Sequence, residues 1–184
     1  MNYQEEHVIL VDENDNFVGT MEKLEAHRKG LLHRAVSVFI VNHKGEMLLQ
    51  KRAQSKYHGA GLWSNACCTH PRLNESTLDS AMRRMREELG MNCHLSPAYS
   101  FIYKSAVENN LVEHEFDYVF VGKYDGMFVP NRNEVEECIF VPLENIEKRL
   151  LESPEVFTIW FRTAFVRVNE YLAGMESQPK GGVE

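Results

Sequence analysis

The sequence predicts a single-domain α/β fold: an α/β/α sandwich in which one mixed β-sheet carries helices on both faces. Three observations lead there. Apolar runs of strand length alternate with segments of helical periodicity along the 184-residue chain, the pattern of a layered domain. The run A-V-S-V-F-I-V at 35–41 is too continuous for a strand with a solvated face and reads as a central one. No internal repeat or long linker divides the chain, which is long enough for one real core. The domain is expected over 1–173, and the Gly-, Pro- and Glu-rich residues 174–184 as a disordered tail.

Taken in order, H-V-I-L-V at 7–11 reads as a strand, D-E-N-D-N as turn chemistry and Phe17–Gly19 as a returning strand. Met21–Arg28 reads as a short helix bearing Lys23 and His27, broken by Lys29-Gly30. His33 opens the central strand, and N-H-K-G at 42–45 turns it into a hairpin with M-L-L-Q-K-R. A loop follows at 53–61, with Lys56 near its middle. The clearest helix has Leu78, Ala81, Met82, Met85 and Leu89 on one apolar stripe, Ser76 as N-cap and Gly90 as a left-handed C-cap. Ala98–Ser105 and Val112–Tyr124 read as strands. Alternation on the second puts Glu113, Glu115 and Asp117 on one face and His114, Phe116 and Tyr118 on the other. C-I-F-V-P at 138–142 is a further strand, and Leu143–Leu151 and Glu155–Leu172 are helices, the latter with Trp160.

The net charge of −7 argues against nucleic-acid or anionic-membrane partners. An anionic substrate then needs a local basic pocket. No apolar run reaches the length of a membrane span. The acidic N-terminus lacks a signal-peptide pattern, and of the four cysteines two, Cys67 and Cys68, are adjacent. A reducing cytoplasm is the expected location.

Several residues carry chemistry. His27 and His33 flank a helix-breaking glycine, and His70 precedes a proline that fixes its loop. Glu113 and Glu115 point the same way from one strand, a pair that alone is more often a solvated sheet face. Three imidazoles with two carboxylates would suit Mn, Zn, Fe or Mg. Lys23, Arg52 and Lys56 come from three segments and, taken singly, are ordinary surface cations. Tyr103 and Trp160 are by default core aromatics.

The stretch from Thr69 to Met91 resembles the Nudix box, G-x5-E-x7-R-E-U-x-E-E-x-G-U, at Glu75, Arg83, Met85, Glu87, Glu88, Gly90 and Met91. Thr69 stands at the first Gly, and Arg84 at the Glu of R-E-U. That Glu helps Nudix hydrolases hold metal ions, so a guanidinium there disfavours multi-metal hydrolysis. Together with N-A-C-C-T-H-P at 65–71 and V-E-H-E at 112–115, the altered box resembles type I isopentenyl diphosphate isomerases over about residues 5–172.

The resemblance implies a Nudix-like sandwich. It also implies interconversion of isopentenyl and dimethylallyl diphosphate, a metal-assisted 1,3-allylic shift of isoprenoid biosynthesis. It assigns His27, His33, His70, Glu113 and Glu115 to one site for Mn or Zn, and Glu88 with diphosphate oxygens to Mg. Glu115 with Tyr103, and Cys68, would move the protons; Cys68 is selected by standing two residues before His70. Cations near Cys68 would lower its pKa. Cys67, pointing the other way if the segment is extended, would be structural. Lys23, Arg52 and Lys56 would surround the diphosphate, and Trp160 would face the cationic centre. Arg84 either joins them or pairs with Glu88. The partner implied is a small-molecule prenyl diphosphate, with the chain a monomer or weak dimer. The rival readings are a Nudix diphosphate hydrolase and a non-catalytic, metal-stabilised binding module.

Overall fold

The computed structural model describes residues 7–176. In chain order the elements are β1 (His7–Val11), β2 (Phe17–Glu22), α1 (Lys23–Lys29), β3 (His33–Val41), β4 (Glu46–Arg52), β5 (Trp63–Ser64), β6 (Cys67–Thr69), α2 (Thr77–Leu89), β7 (Leu95–Val107), β8 (Leu111–Lys123), β9 (Val135–Pro142), α3 (Leu143–Glu152) and α4 (Ile159–Glu176).

The sheet is organised around β3. One edge pairs in parallel with β8 along its whole length, from His33 opposite Glu115 to Val41 opposite Lys123. The other edge is shared by three antiparallel partners: β1 at Leu10 opposite His33, β6 over Val36 to Val38, and β4 at Val41 opposite Met47. The expected β3–β4 hairpin is therefore brief. Because β6 takes the middle of that edge, β4 finds its long partner in β9 instead. Elsewhere β2 pairs with β1 and β7 with β8, both antiparallel, giving the mixed sheet.

β3 is covered on both sides, as its composition requires. Val36, Val38 and Ile40 pack with Ala81, Met85 and Leu89 of α2. Phe39 and Val41 pack with Phe161, Ala164, Phe165 and Val168 of α4. Burying such side chains contributes about 1.5–3 kcal/mol each before entropy is counted. α2 is capped as its sequence indicates. Ser76 Oγ accepts from Asp79 N at 3.0 Å, and Gly90 closes the helix at φ 64°. Leu78, expected on the apolar stripe, is exposed.

The last helix begins later than its periodicity suggests. Thr158 N donates to Trp63 O at 2.9 Å, and Ser64 Oγ lies 3.0 Å from Thr158 Oγ1. These bonds hold the chain extended after a 3-10 turn at Pro154–Val156, and α4 starts at Ile159. It runs to Glu176, into the segment expected as tail; 177–184 lie outside the described residues.

Candidate active site

Sheet register assembles the centre. Glu115 on β8 has His33 of β3 beside it on one flank and Tyr103 of β7 on the other. Ser37 of β3 faces Cys68 of β6. Alternation along β8 turns Glu113, Glu115 and Asp117 to the buried side, so the carboxylates that alone suggested a solvated face are interior. α1 adds His27. Gly30 ends that helix at φ 60° and reverses the chain, bringing the rings of His27 and His33 to 4.7 Å between centroids. A Cβ at Gly30 would meet Val112 at 3.3 Å in a backbone region that side chains rarely adopt.

The imidazoles are posed as ligands. His27 Nδ1 lies 2.6 Å from Lys23 O and His33 Nδ1 2.8 Å from Leu31 O. With these nitrogens donating to carbonyls, each Nε2 lone pair faces inward. Both buried Nε2 atoms make no hydrogen bond. Donor atoms of His27, His33, His70 and Glu115 all lie within 4.8 Å of one another. Two ligands of one ion, each about 2.1 Å from it, stand roughly 3.0–3.4 Å apart in octahedral or tetrahedral geometry. Two contacts show such spacings, His27 Nε2 to Glu113 Oε2 at 3.2 Å and His70 Nε2 to Glu115 Oε1 at 3.1 Å, while His33 Nε2 stands farther from Glu115 Oε1, at 3.7 Å. Burial pushes the His70 pKa down to about 4, leaving its ring neutral, the form that binds a metal. The set fits a divalent ion that accepts imidazole nitrogen.

The two candidate proton carriers rest in opposite states. Burial opposes ionisation of Glu115, but His33 and His70 hold its pKa well below the usual carboxylate value. Tyr103 Oη donates to Glu115 Oε2 at 2.6 Å, and burial together with the Glu115 charge keeps that phenol protonated. Cys68 is held by Asn65, whose Nδ2 lies 3.2 Å from Sγ and whose Oδ1 lies 3.3 Å from it, with Ser37 Oγ at 3.5 Å. The expected lowering of its pKa is reversed: burial, then the nearby Asp117 carboxyl, push the thiol up to about 12. Its hydrogen-bond partners are neutral side chains, not cations. Cys67 is fully buried in the α2-side core, while Cys68 packs toward the α4 side, as an extended segment requires.

The cations form two groups. Lys23 Nζ lies over the Tyr57 ring, 5.4 Å from its centroid; Arg52 lies 5.0 Å from that of Trp160 and donates to His58 O at 3.1 Å. Lys56 and Arg84 converge on Glu134, and Arg84 also pairs with Glu88. Glu88 is buried and accepts from Gln50 Nε2 at 3.0 Å through its second oxygen. Trp160 is buried, its Nε1 donating to Ser64 Oγ at 2.8 Å.

Residues 31–161 match the NUDIX domain family. An isopentenyl-diphosphate Delta-isomerase from Pectobacterium atrosepticum is 44% identical over 171 residues, covering 93% of this chain and 96% of its own. One from Aromatoleum aromaticum is 48% identical over 164 residues, covering 89% and 93%. The chain belongs to the isopentenyl-diphosphate Delta-isomerases of the Nudix family. A Nudix hydrolase structure from M. smegmatis superposes with a TM-score of 0.57 at 17% identity, covering 94% of this chain and 98% of that one, which is a likeness of fold.

Within this isomerase the altered Nudix box has a structural meaning. Arg83 and Glu75, both at matching box positions, pair at 2.7 Å and tie α2 to the loop before it. Arg84 fills the neighbourhood of Glu88 with a guanidinium whose pKa is raised by Glu88 and Glu134, against burial. The sequence reading missed Ser37, Asn65, His58 and Glu134. Ser37 could have been found, as the one hydroxyl in the otherwise apolar run at 35–41. A lone histidine or glutamate in a loop carries no comparable spacing.

Proposed function

We infer that the chain interconverts isopentenyl diphosphate and dimethylallyl diphosphate. The observation that carries the mechanism is the convergence of a thiol and a carboxyl–phenol pair in one buried site. In the forward direction Glu115, assisted by Tyr103, gives a proton to the terminal alkene carbon. The π electrons form the new C–H bond and leave a tertiary cation at C3. Cys68 as thiolate takes a proton from C2, and those C–H electrons become the new double bond. No external oxidant or co-reactant is needed. The carboxyl and thiol exchange one proton per turnover, each contributing roughly 10²–10⁴ in rate. In the free site that proton sits on Cys68 and Glu115 is ionised. This is the state left by the forward reaction, and the one the reverse reaction starts from.

His27, His33, His70, Glu113 and Glu115 would hold Mn or Zn, which supplies fixed positive charge and orients the acid. Glu88 would hold Mg together with diphosphate oxygens. Lys23, Arg52 and Lys56 bind the diphosphate, and Arg84 joins them by exchanging part of its pairing with Glu88 and Glu134. Trp160 faces the cationic carbon, its ring already able to lie beside the Arg52 guanidinium. Exclusion of water from the site would keep it from trapping the cation as an alcohol.

The enzyme acts in the cytoplasm on a small-molecule prenyl diphosphate, as a monomer or weak dimer, without nucleic acid or membrane. Its acidic charge, its free cysteines and the lack, among the described residues, of a helix able to cross a membrane support this. One NMR experiment tests the reaction: isopentenyl diphosphate with enzyme, Mg and D2O. Dimethylallyl diphosphate carrying deuterium in a methyl group is expected. An unchanged substrate spectrum with fully metal-loaded enzyme would overturn the assignment.

A further inference from the structure

The loop between β4 and β5 inserts a fourth imidazole, His58, against the three-histidine site. The loop is pinned from below by the β7–β8 turn. Asn109 Nδ2 donates to Tyr57 O at 2.8 Å, and Gly59 N to Glu108 Oε2 at 3.3 Å. Gly59 reverses the chain at φ 58°. His58 is thereby 8% exposed, its ring 6.0 Å from His27 and 5.5 Å from Trp160 between centroids.

Distance separates its role from that of a ligand. His58 Nε2 lies 2.5 Å from Glu113 Oε1. Two ligands of one ion, about 2.1 Å from it, cannot approach so closely, because they stand roughly 3 Å apart. The contact is a direct hydrogen bond, with the ring N–H donating to the carboxylate. It occupies one oxygen of Glu113 and leaves the other, Oε2, toward His27 Nε2 at 3.2 Å. Meanwhile the His58 carbonyl accepts from Arg52, whose guanidinium covers Trp160. One loop residue thus touches a candidate metal ligand with its side chain and a candidate diphosphate cation with its backbone.

We propose that His58 is a positioning residue that fixes Glu113 for metal binding by hydrogen-bonding its outer oxygen. The proposal rests on the metal-site reading above. A histidine that orients a carboxylate ligand influences metal affinity without binding the ion.

The test measures Co(II) affinity of the full-length protein by chelator competition, with the visible spectrum as readout of ligand geometry. His58→Leu removes the donor; His58→Gln places an amide N–H where Nε2 was. His58→Leu is expected to bind Co(II) roughly 10–100-fold more weakly with an altered spectrum, and His58→Gln to stay near wild type. Equal affinity of His58→Leu and wild type would overturn the proposal. So would equal weakening in both variants, since ring packing rather than the hydrogen bond would then be responsible. Failure of the wild type itself to take up Co(II) would instead overturn the metal-site reading.

Discussion

Two charged regions of this molecule are built on opposite principles. Around β8, acids meet imidazoles, and the buried Nε2 atoms of His27 and His33 have no hydrogen-bond partner. Around α2, acids meet cations, and Arg84, Lys56, Glu88 and Glu134 satisfy one another. The first arrangement is suited to hold a cation. The second is already neutralised, so an anionic ligand would have to exchange ion pairs to enter it. The helix that carries the altered Nudix box thus holds Arg84 among the carboxylates of Glu87, Glu88 and Glu134.

The largest effect is expected at the thiol. Cys68→Ala should lower isomerisation by roughly 10²–10⁴, while Cys67→Ala should cost about 1 kcal/mol of stability and keep most activity. Steady-state rates and chemical denaturation of both variants check this, and equal loss of rate in two folded variants would refute the assignment. Next comes the imidazole region. His33→Ala and Glu113→Gln should each lose most of the bound metal by elemental analysis; unchanged stoichiometry in both would remove the site.

In the α2 region, Arg84→Glu reverses a charge between Glu88 and Glu134. Breaking this mostly buried pairing should cost about 3–5 kcal/mol and weaken substrate binding, read as a raised KM. It should not create phosphate release, because one added carboxylate does not rebuild a multi-metal site.

The smallest effect concerns Asp117 in metal-free protein. Burial, then the Glu115 charge, raise its folded-state pKa well above the usual value. The folded state thus keeps a proton that the unfolded chain loses above about pH 4, so this group lowers stability as pH rises from there toward its folded pKa. Asp117→Asn should remove that slope. Denaturant midpoints of variant and wild type should differ little near pH 4 and diverge in the variant's favour toward pH 7.

Much of this was legible in the chain. A-V-S-V-F-I-V indicated a strand buried on both faces, and Ser76 and Gly90 bounded α2, because propensity, capping and periodicity agree there. The alternation of Glu113, Glu115 and Asp117 was equally plain, but not their burial, which depends on what β7 and α1 place above them. The start of α4 was obscured because bonds from Trp63 and Ser64 to Thr158, distant in sequence, override local helical pattern. The Cys68 pKa was misjudged for a similar reason. Nearby cations were expected to lower it, whereas the fold surrounds the sulfur with Asn65, Ser37 and Asp117. His58 was invisible because a loop histidine has no periodicity to betray which way it turns.

The central claim is that this Nudix chain moves protons and leaves the diphosphate intact. Wild-type enzyme given isopentenyl diphosphate and Mg should be followed in parallel for dimethylallyl diphosphate and for released phosphate or diphosphate. Isomer formation to equilibrium with no detectable phosphate release is expected. Phosphate release at a rate matching or exceeding isomerisation would contradict it and restore the hydrolase reading.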